Sequence, residues 1–250
     1  HEYDRVTTFP VHYPKGKTVA KHRFWVPDSL EDYRALYHAY LQDPDIQDAR
    51  AHFPFVCIGD NHEFSWRGWQ SFIQYGPKIE PAQPLRVAAN QAWWEYIPSR
   101  VAKASGPGLD QFGPPKVVTA PITKLDDHGF GDEANNRTAV GSMTAYRAMR
   151  YGKHVDLILT DFHSYKMQEP TARPEANDLD SGDTPFMVPE SWMQILDAGR
   201  DYAGGKPPAA IMVGDKAVPN FRKDEPPFTV LGREQKAWLK ERLTTSKATW

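Results

Sequence analysis

The chain has 250 residues, 40% of them hydrophobic and 25% charged, with 30 Lys and Arg against 32 Asp and Glu and a formal net charge of -2. That balance gives no electrostatic case for a nucleic-acid or membrane-surface partner, and no apolar run approaches the roughly 18 residues of a membrane helix. The length suffices for a sizeable core, and a single cysteine, Cys57, excludes an internal disulfide.

In chain order, the opening "HEYDRV" carries no charged-then-apolar leader. Residues 28–43 predict a helix, capped by Asp28 with Glu31 three positions on and striped by Leu30, Tyr33, Tyr37, Tyr40 and Leu41, with Asp43-Pro44 ending it. "FPFVCIGDNHEFSWRGW" reads as a buried strand over Val56, Cys57 and Ile58, broken by Gly59 and followed by Asp60, Asn61, His62 and Glu63. A second helix is predicted from Leu85 to Ile97, closed by Pro98.

Residues 100–140, rich in Gly, Pro, Asp and Asn, read as a loop-rich insertion or a pair of edge strands. A hairpin follows, with Tyr146 to Met149 on one strand, "YGK" at the turn and Val155 to Thr160 as the more buried strand, which ends in Asp161 and His163. Gln168 to Pro189 is polar and reads as a surface loop. A helix over Trp192 to Tyr202, a short apolar run at Ala210 to Val213 and an amphipathic helix over "LGREQKAWLKERLTTS" complete the pattern. The closing "SKATW" reads as the first residues of a strand, so both ends read as cut from something larger. No repeat is visible, and one α/β domain over residues 1–250 fits the pattern.

Two apolar segments thus end in "GDNHE" and "TDFH". Ligands of α/β sheets bind beyond the carboxyl ends of strands, and these oxygen and nitrogen donors suit hard or borderline metals that activate water and shield phosphoryl charge. The bland alternative has Asp60 and Asn61 shaping a turn, His62 solvated, His163 an ordinary loop residue and Glu63 capping a helix; spacing alone leaves both open. Trp66, Trp69, Trp93 and Trp94 are read as core more readily than as a substrate floor. "DDHGFGD" lacks the pattern of a calcium loop.

"FPFVCIGDNHEFSWRGW" resembles the "WDDHE" segment of the PhoD-like alkaline phosphatase and phosphodiesterase family, within the metallophosphoesterases. "SLEDYRALYHAYLQDPDIQDARAHFPF" is similar to the helix before that motif. "RYGKHVDLILTDFHSYK" resembles the strand ending in Asp-Thr-Arg-Ser-Tyr, and "LGREQKAWLKERLTTSKATW" the late Gly-x-x-Gln-x-x-Trp-Leu helix. These segments occur in the family's order along nearly the whole chain.

The resemblance implies a four-layer α/β/β/α sandwich, incomplete at both ends, that hydrolyses phosphate mono- or diesters with metal-activated water. It implies a metal cluster of calcium with iron, a small-molecule phosphate ester as partner and a periplasmic or secreted location. It makes Asp60 a metal ligand, and Asn61 a ligand of metal and phosphate, in the "NHE" form of the wider superfamily. His62 would stabilise the transition state or protonate the leaving group, and His1, aligned with a metal-binding Tyr, would be a further ligand. Asp161 and His163 would bind substrate, His163 standing where the family has Arg, without that residue's bidentate grip. The family's upstream Gly-Asp and downstream Ser-Gly-Asp-x-His have no counterpart in this sequence. The competing expectation is therefore a noncatalytic relative that binds a phosphorylated ligand or partner.

Overall fold

The computed structural model describes residues 13, 15–19, 24–75, 78–108, 110–179 and 188–250. Its elements run β1 (Lys17–Val19), β2 (Phe24–Val26), α1 (Leu30–Leu41), α2 (Pro44–His52), β3 (Phe72–Tyr75), β4 (Lys78–Pro81), α3 (Gln83–Tyr96) and β5 (Lys103–Ala104). They continue through α4 (Ala134–Val140), β6 (Met143–Thr144), β7 (Arg147–Tyr151), β8 (Val155–Leu159), α5 (Glu190–Ala198), α6 (Tyr202–Gly205), β9 (Ala210–Val213), β10 (Lys216–Pro219) and α7 (Gly232–Thr245). The class is mixed α/β. Among the described residues the strands pair as five two-stranded antiparallel ladders, β1 with β2, β3 with β4, β5 with β6, β7 with β8 and β9 with β10.

The helix predicted over residues 28–43 forms as α1, but its cap is Ser29, whose hydroxyl accepts the Asp32 N–H at 3.2 Å. Asp28 instead donates its own N–H to the buried Asp32 carboxylate at 2.9 Å. Asp43 and Pro44 end α1 and also start α2: Asp43 accepts the Asp45 N–H, and proline at the first helical turn lacks only a donor the turn would not use. α3 lays Leu85, Ala89 and Ala92 against Tyr33, Phe64 and Ile73, forming the main core of the N-terminal half. The Tyr33 hydroxyl crosses that core to donate to the Phe64 carbonyl at 2.5 Å.

The strand expected at Val56–Ile58 is absent. Pro54 to Asp60 run without helix or strand, and the Cys57 carbonyl is taken by the Arg147 guanidinium at 2.6 Å rather than by a neighbouring strand. Cys57 and Ile58 pack on a second core of Trp93, Val101, Ala104, Met143 and Ala145, while Phe53, Phe55 and Val56 remain exposed. Trp69 and Trp93 are core, as read from sequence; Trp66 is exposed.

The hairpin forms with its turn at Gly152, whose φ of 57° suits glycine, and each strand has one buried residue, Arg147 in β7 and Leu159 in β8, with fewer exposed positions on β8. The edge of β8 receives the chain's last residue, Asp156 N–H donating to the Trp250 carbonyl and Trp250 N–H to the His154 carbonyl, each at 2.8 Å. Beyond these two bonds, residues 246–250, expected to open a strand, carry neither helix nor strand. The helix predicted over Trp192–Tyr202 stops earlier, at Ala198, because Gly199 turns to a φ of 55°. α7 starts at Gly232, where a side chain would press on Tyr165 atoms 3.0 and 3.1 Å away, so glycine lets the helix settle on the loop after β8.

Candidate functional site

The sequence places "GDNHE" after the extended segment and "TDFH" after β8, and the fold brings the two together. Asp60 Oδ1 lies 3.1 Å from His163 Nε2. Residues 61–63 form a single 3₁₀ turn with Asp60 as its cap. The Glu63 carboxylate bends back to accept the Asp60 N–H, and the Asp60 carboxylate accepts the N–H of Glu63, so Asp and Glu at this spacing close a capping box. With its amide turned to satisfy both neighbours, Asn61 donates to Asp60 Oδ1 at 2.9 Å and accepts the Arg67 N–H at 3.0 Å.

Asp161 is buried and its carboxylate is engaged internally. It accepts the His163 N–H at 3.0 Å, the Ser164 N–H at 2.9 Å and the Ser164 hydroxyl. These bonds fold residues 161–164 into a tight turn that points His163 at Asp60. The turn is held from two sides. Gln235 of α7, wholly buried, accepts the Asp161 N–H at 2.6 Å and donates to the Asp161 carbonyl at 2.8 Å. Gln70 takes the His163 carbonyl with its N–H at 3.0 Å, and its side-chain amide bonds Gly129, Gly131, Lys166 and Asn136.

Arg86 of α3 lies behind this turn. Its guanidinium donates to the Ser164 hydroxyl and sits 5.2 Å from the Phe64 ring centroid, and burial lowers its pKa against the raising influence of Asp161. Burial likewise lowers the pKa of His163, helped by Lys166 and opposed by the carboxylates of Asp60 and Asp161, so the neutral imidazole is favoured. A neutral ring facing Asp60 donates through Nε2 and keeps Nδ1 as a lone pair.

Asp60, Glu63, Arg86, Asn90, Asp161 and His163 line one crevice of about 30 Å³, room for an ion or one or two waters. Two buried nitrogens of this lining, Arg86 Nε and His163 Nδ1, have no hydrogen-bond partner among the described residues. Buried polar atoms are almost always paired, so two orphans in one crevice mark a place built to receive something. Among the described residues no three His, Cys, Asp or Glu side chains are grouped to hold a metal. Asp60 and His163 are two adjacent donors, with the Asn61 amide against Asp60.

His62 is separated from this group: it lines a different, apolar crevice with Leu36 and Ile97. His1 lies outside the described residues. The sequence reading did not select Arg86 or Gln235; Gln235 was visible within "GREQKAWL", whereas Arg86 sits inside a plain amphipathic helix.

The profile of the PhoD-like phosphatases matches residues 3–250. The chain belongs to the PhoD-like phosphatase family. It is also similar to alkaline phosphatase D of Bacillus subtilis (strain 168), 31% identical over 85 residues, a stretch covering 34% of this chain and 15% of that protein. No solved structure matches it significantly. Among the described residues no helix is long and apolar enough to cross a membrane.

Proposed function

We propose that this PhoD-like chain hydrolyses phosphate mono- or diesters, with the phosphoryl group seated in the crevice between Asp60 and Arg86. The observation that carries this reading is the unpartnered buried Nε of the Arg86 guanidinium, whose residue lines one crevice with Asp60 and His163. A buried cation in such a crevice favours an anionic guest. Arg86 then supplies the positive charge that His163, standing in place of an arginine, does not.

Asp60, Asn61 and His163 are the residues that would hold a metal ion, calcium suiting their oxygens and iron the imidazole. Such an ion, when bound, supplies charge neutralisation and water activation. In this reading Asp161, its oxygens already engaged, positions His163 rather than touching substrate, and His62, on the far side of Glu63, stands outside the phosphoryl crevice. The same reading takes residues 1–250 as one domain of a four-layer sandwich, in a periplasmic or secreted protein.

A second reading has support of its own. Two adjacent donors, without a third grouped with them among the described residues, fit a noncatalytic relative that binds a phosphorylated ligand. Hydrolysis of nitrophenyl phosphate mono- and diesters before and after chelation, beside metal content by plasma mass spectrometry, separates the two. The enzyme reading expects stoichiometric metal and a loss of at least about 100-fold in kcat/KM on Asp60→Ala, the scale of a lost charge-stabilising group. Phosphate binding without metal or turnover establishes the binding protein.

A further inference from the structure

The 3₁₀ turn at residues 61–63 has a different environment on each side. Asp60 and Glu63 line the polar crevice already described, while His62 and Glu63 line a second one, of about 180 Å³. Glu63 is the wall they share. Leu36 and Leu41 of α1, Ile46 of α2 and Ile97 after α3 make the second crevice apolar, with Arg50 and His62 as its cationic or cationisable groups. Its volume suits a small organic group rather than a whole cofactor.

Tyr37 also lines this crevice, with its ring stacked on Tyr96 at 5.6 Å between centroids. Its hydroxyl is buried and has no hydrogen-bond partner among the described residues. Burial, with the Glu63 carboxylate adding to it, raises the pKa of this phenol, so it stays protonated and remains a donor. An apolar cavity holding one unsatisfied donor is complementary to a guest that is mostly hydrocarbon and carries an acceptor oxygen.

Glu63 relates such a guest to the phosphoryl crevice, because it lines both. For an ester with its phosphorus beside Asp60 and Arg86, an alcohol portion that passes Glu63 meets the apolar lining of Leu36, Ile46 and Ile97. We infer that this crevice seats the alcohol portion of the substrate, and that the chain selects phosphate esters of apolar alcohols or phenols over those of polyols. The inference rests on the phosphate-ester reading and adds the substrate class to it. Tyr37 offers its hydroxyl to an acceptor carried by the alcohol portion of the guest.

Calorimetry with two phosphonates that cannot be hydrolysed tests this without requiring turnover: hexylphosphonate, and 3-hydroxypropylphosphonate as the polar counterpart. Each buried methylene strengthens binding by a factor of about four, so the hexyl probe should bind at least about tenfold more tightly. Ile46→Trp, which fills the crevice from α2, should abolish that preference and leave the affinity for inorganic phosphate, which carries no chain into the crevice, within about twofold, a control that the protein remains folded. Tyr37→Phe should leave the hexyl probe within about twofold, since its chain offers the phenol no acceptor. Equal binding of the two probes to the unaltered protein overturns this inference and leaves the phosphoryl reading standing. A hexyl preference that survives Ile46→Trp places the chain elsewhere and overturns it as well. If neither probe binds, both readings fail.

Discussion

Gln235 contributes nothing to the chemistry directly, yet it carries the largest identifiable share of the site's geometry, because both halves of its amide are spent on the backbone of Asp161. Gln235→Leu keeps the volume and strips both partners, leaving a buried N–H and C=O unsatisfied. Each costs about 1–3 kcal/mol, so urea denaturation should show a loss of about 2–4 kcal/mol, and Gln235→Glu, which keeps an acceptor for the N–H, a smaller one. Arg86 invites a different test. Arg86→Met preserves the packing on Phe64 but removes the cation facing Asp161 and Ser164, which should cost on the order of 3 kcal/mol and weaken calorimetric binding of inorganic phosphate by at least about tenfold. Arg86→Lys should recover part of the phosphate affinity, since charge returns without the guanidinium fork. The motif residues Asp60 and His163 were legible because carboxylate and imidazole clustered after apolar runs. Arg86 and Gln235 were not, because their roles depend on which loop a helix face meets, and helical periodicity says only that a face is buried.

At the scale of elements, α1 and α3 carry the main core of the N-terminal half, and one ion pair clamps them outside it. Arg34 meets Glu95 through two hydrogen bonds, of 2.7 and 2.6 Å, while Gln91 adds a third to the same carboxylate at 2.9 Å. Hydrogen bonding from Arg34 lowers the Glu95 pKa in spite of partial burial. A carboxylate with a depressed folded pKa stabilises the fold above its unfolded value of about 4.3, and that contribution is lost as pH falls through the depressed value. Glu95→Gln should therefore lower stability at pH 7 by about 0.5 kcal/mol, discounted for the exposure of Arg34, with the difference from wild type vanishing toward pH 3 in paired urea titrations. The helices were the readable elements: α1, α3 and α7 follow a 3.6-residue pattern, and of the three α1 has a side-chain cap, Ser29. α4 was hidden in a segment whose Gly, Pro and Asn content argued for loop, although Asn136 inside it is buried and hydrogen-bonded to Gln70. The segment 56–58 failed in the opposite sense. Its residues are strand formers, but a strand exists only where another backbone accepts its ladder, and here the Cys57 carbonyl bonds a guanidinium instead.

That unpaired segment has a consequence for the molecule as a whole. Among the described residues part of the surface is apolar: Phe53 is 67% exposed, Phe55 43% and Val56 40%, within a backbone stretch that carries neither helix nor strand, and Val155 and Leu157 of β8 are also exposed. Exposed apolar side chains are a surface for contact with another chain, and nothing in residues 53–58 carries a charge to discourage it. The formal charge of -2 offers little long-range repulsion between copies. Sedimentation velocity across a concentration series should therefore show reversible self-association. Phe55→Lys combined with Val56→Thr should shift the chain toward monomer, because the lysines of two facing copies repel and the apolar contact shrinks. Both side chains are exposed, so the substitutions should leave the thermal midpoint within about 2 °C. An unchanged sedimentation profile in the double variant would mean that association, if seen, uses another surface. A lowered midpoint would mean that Phe55 and Val56 contribute to the folded core in spite of their exposure.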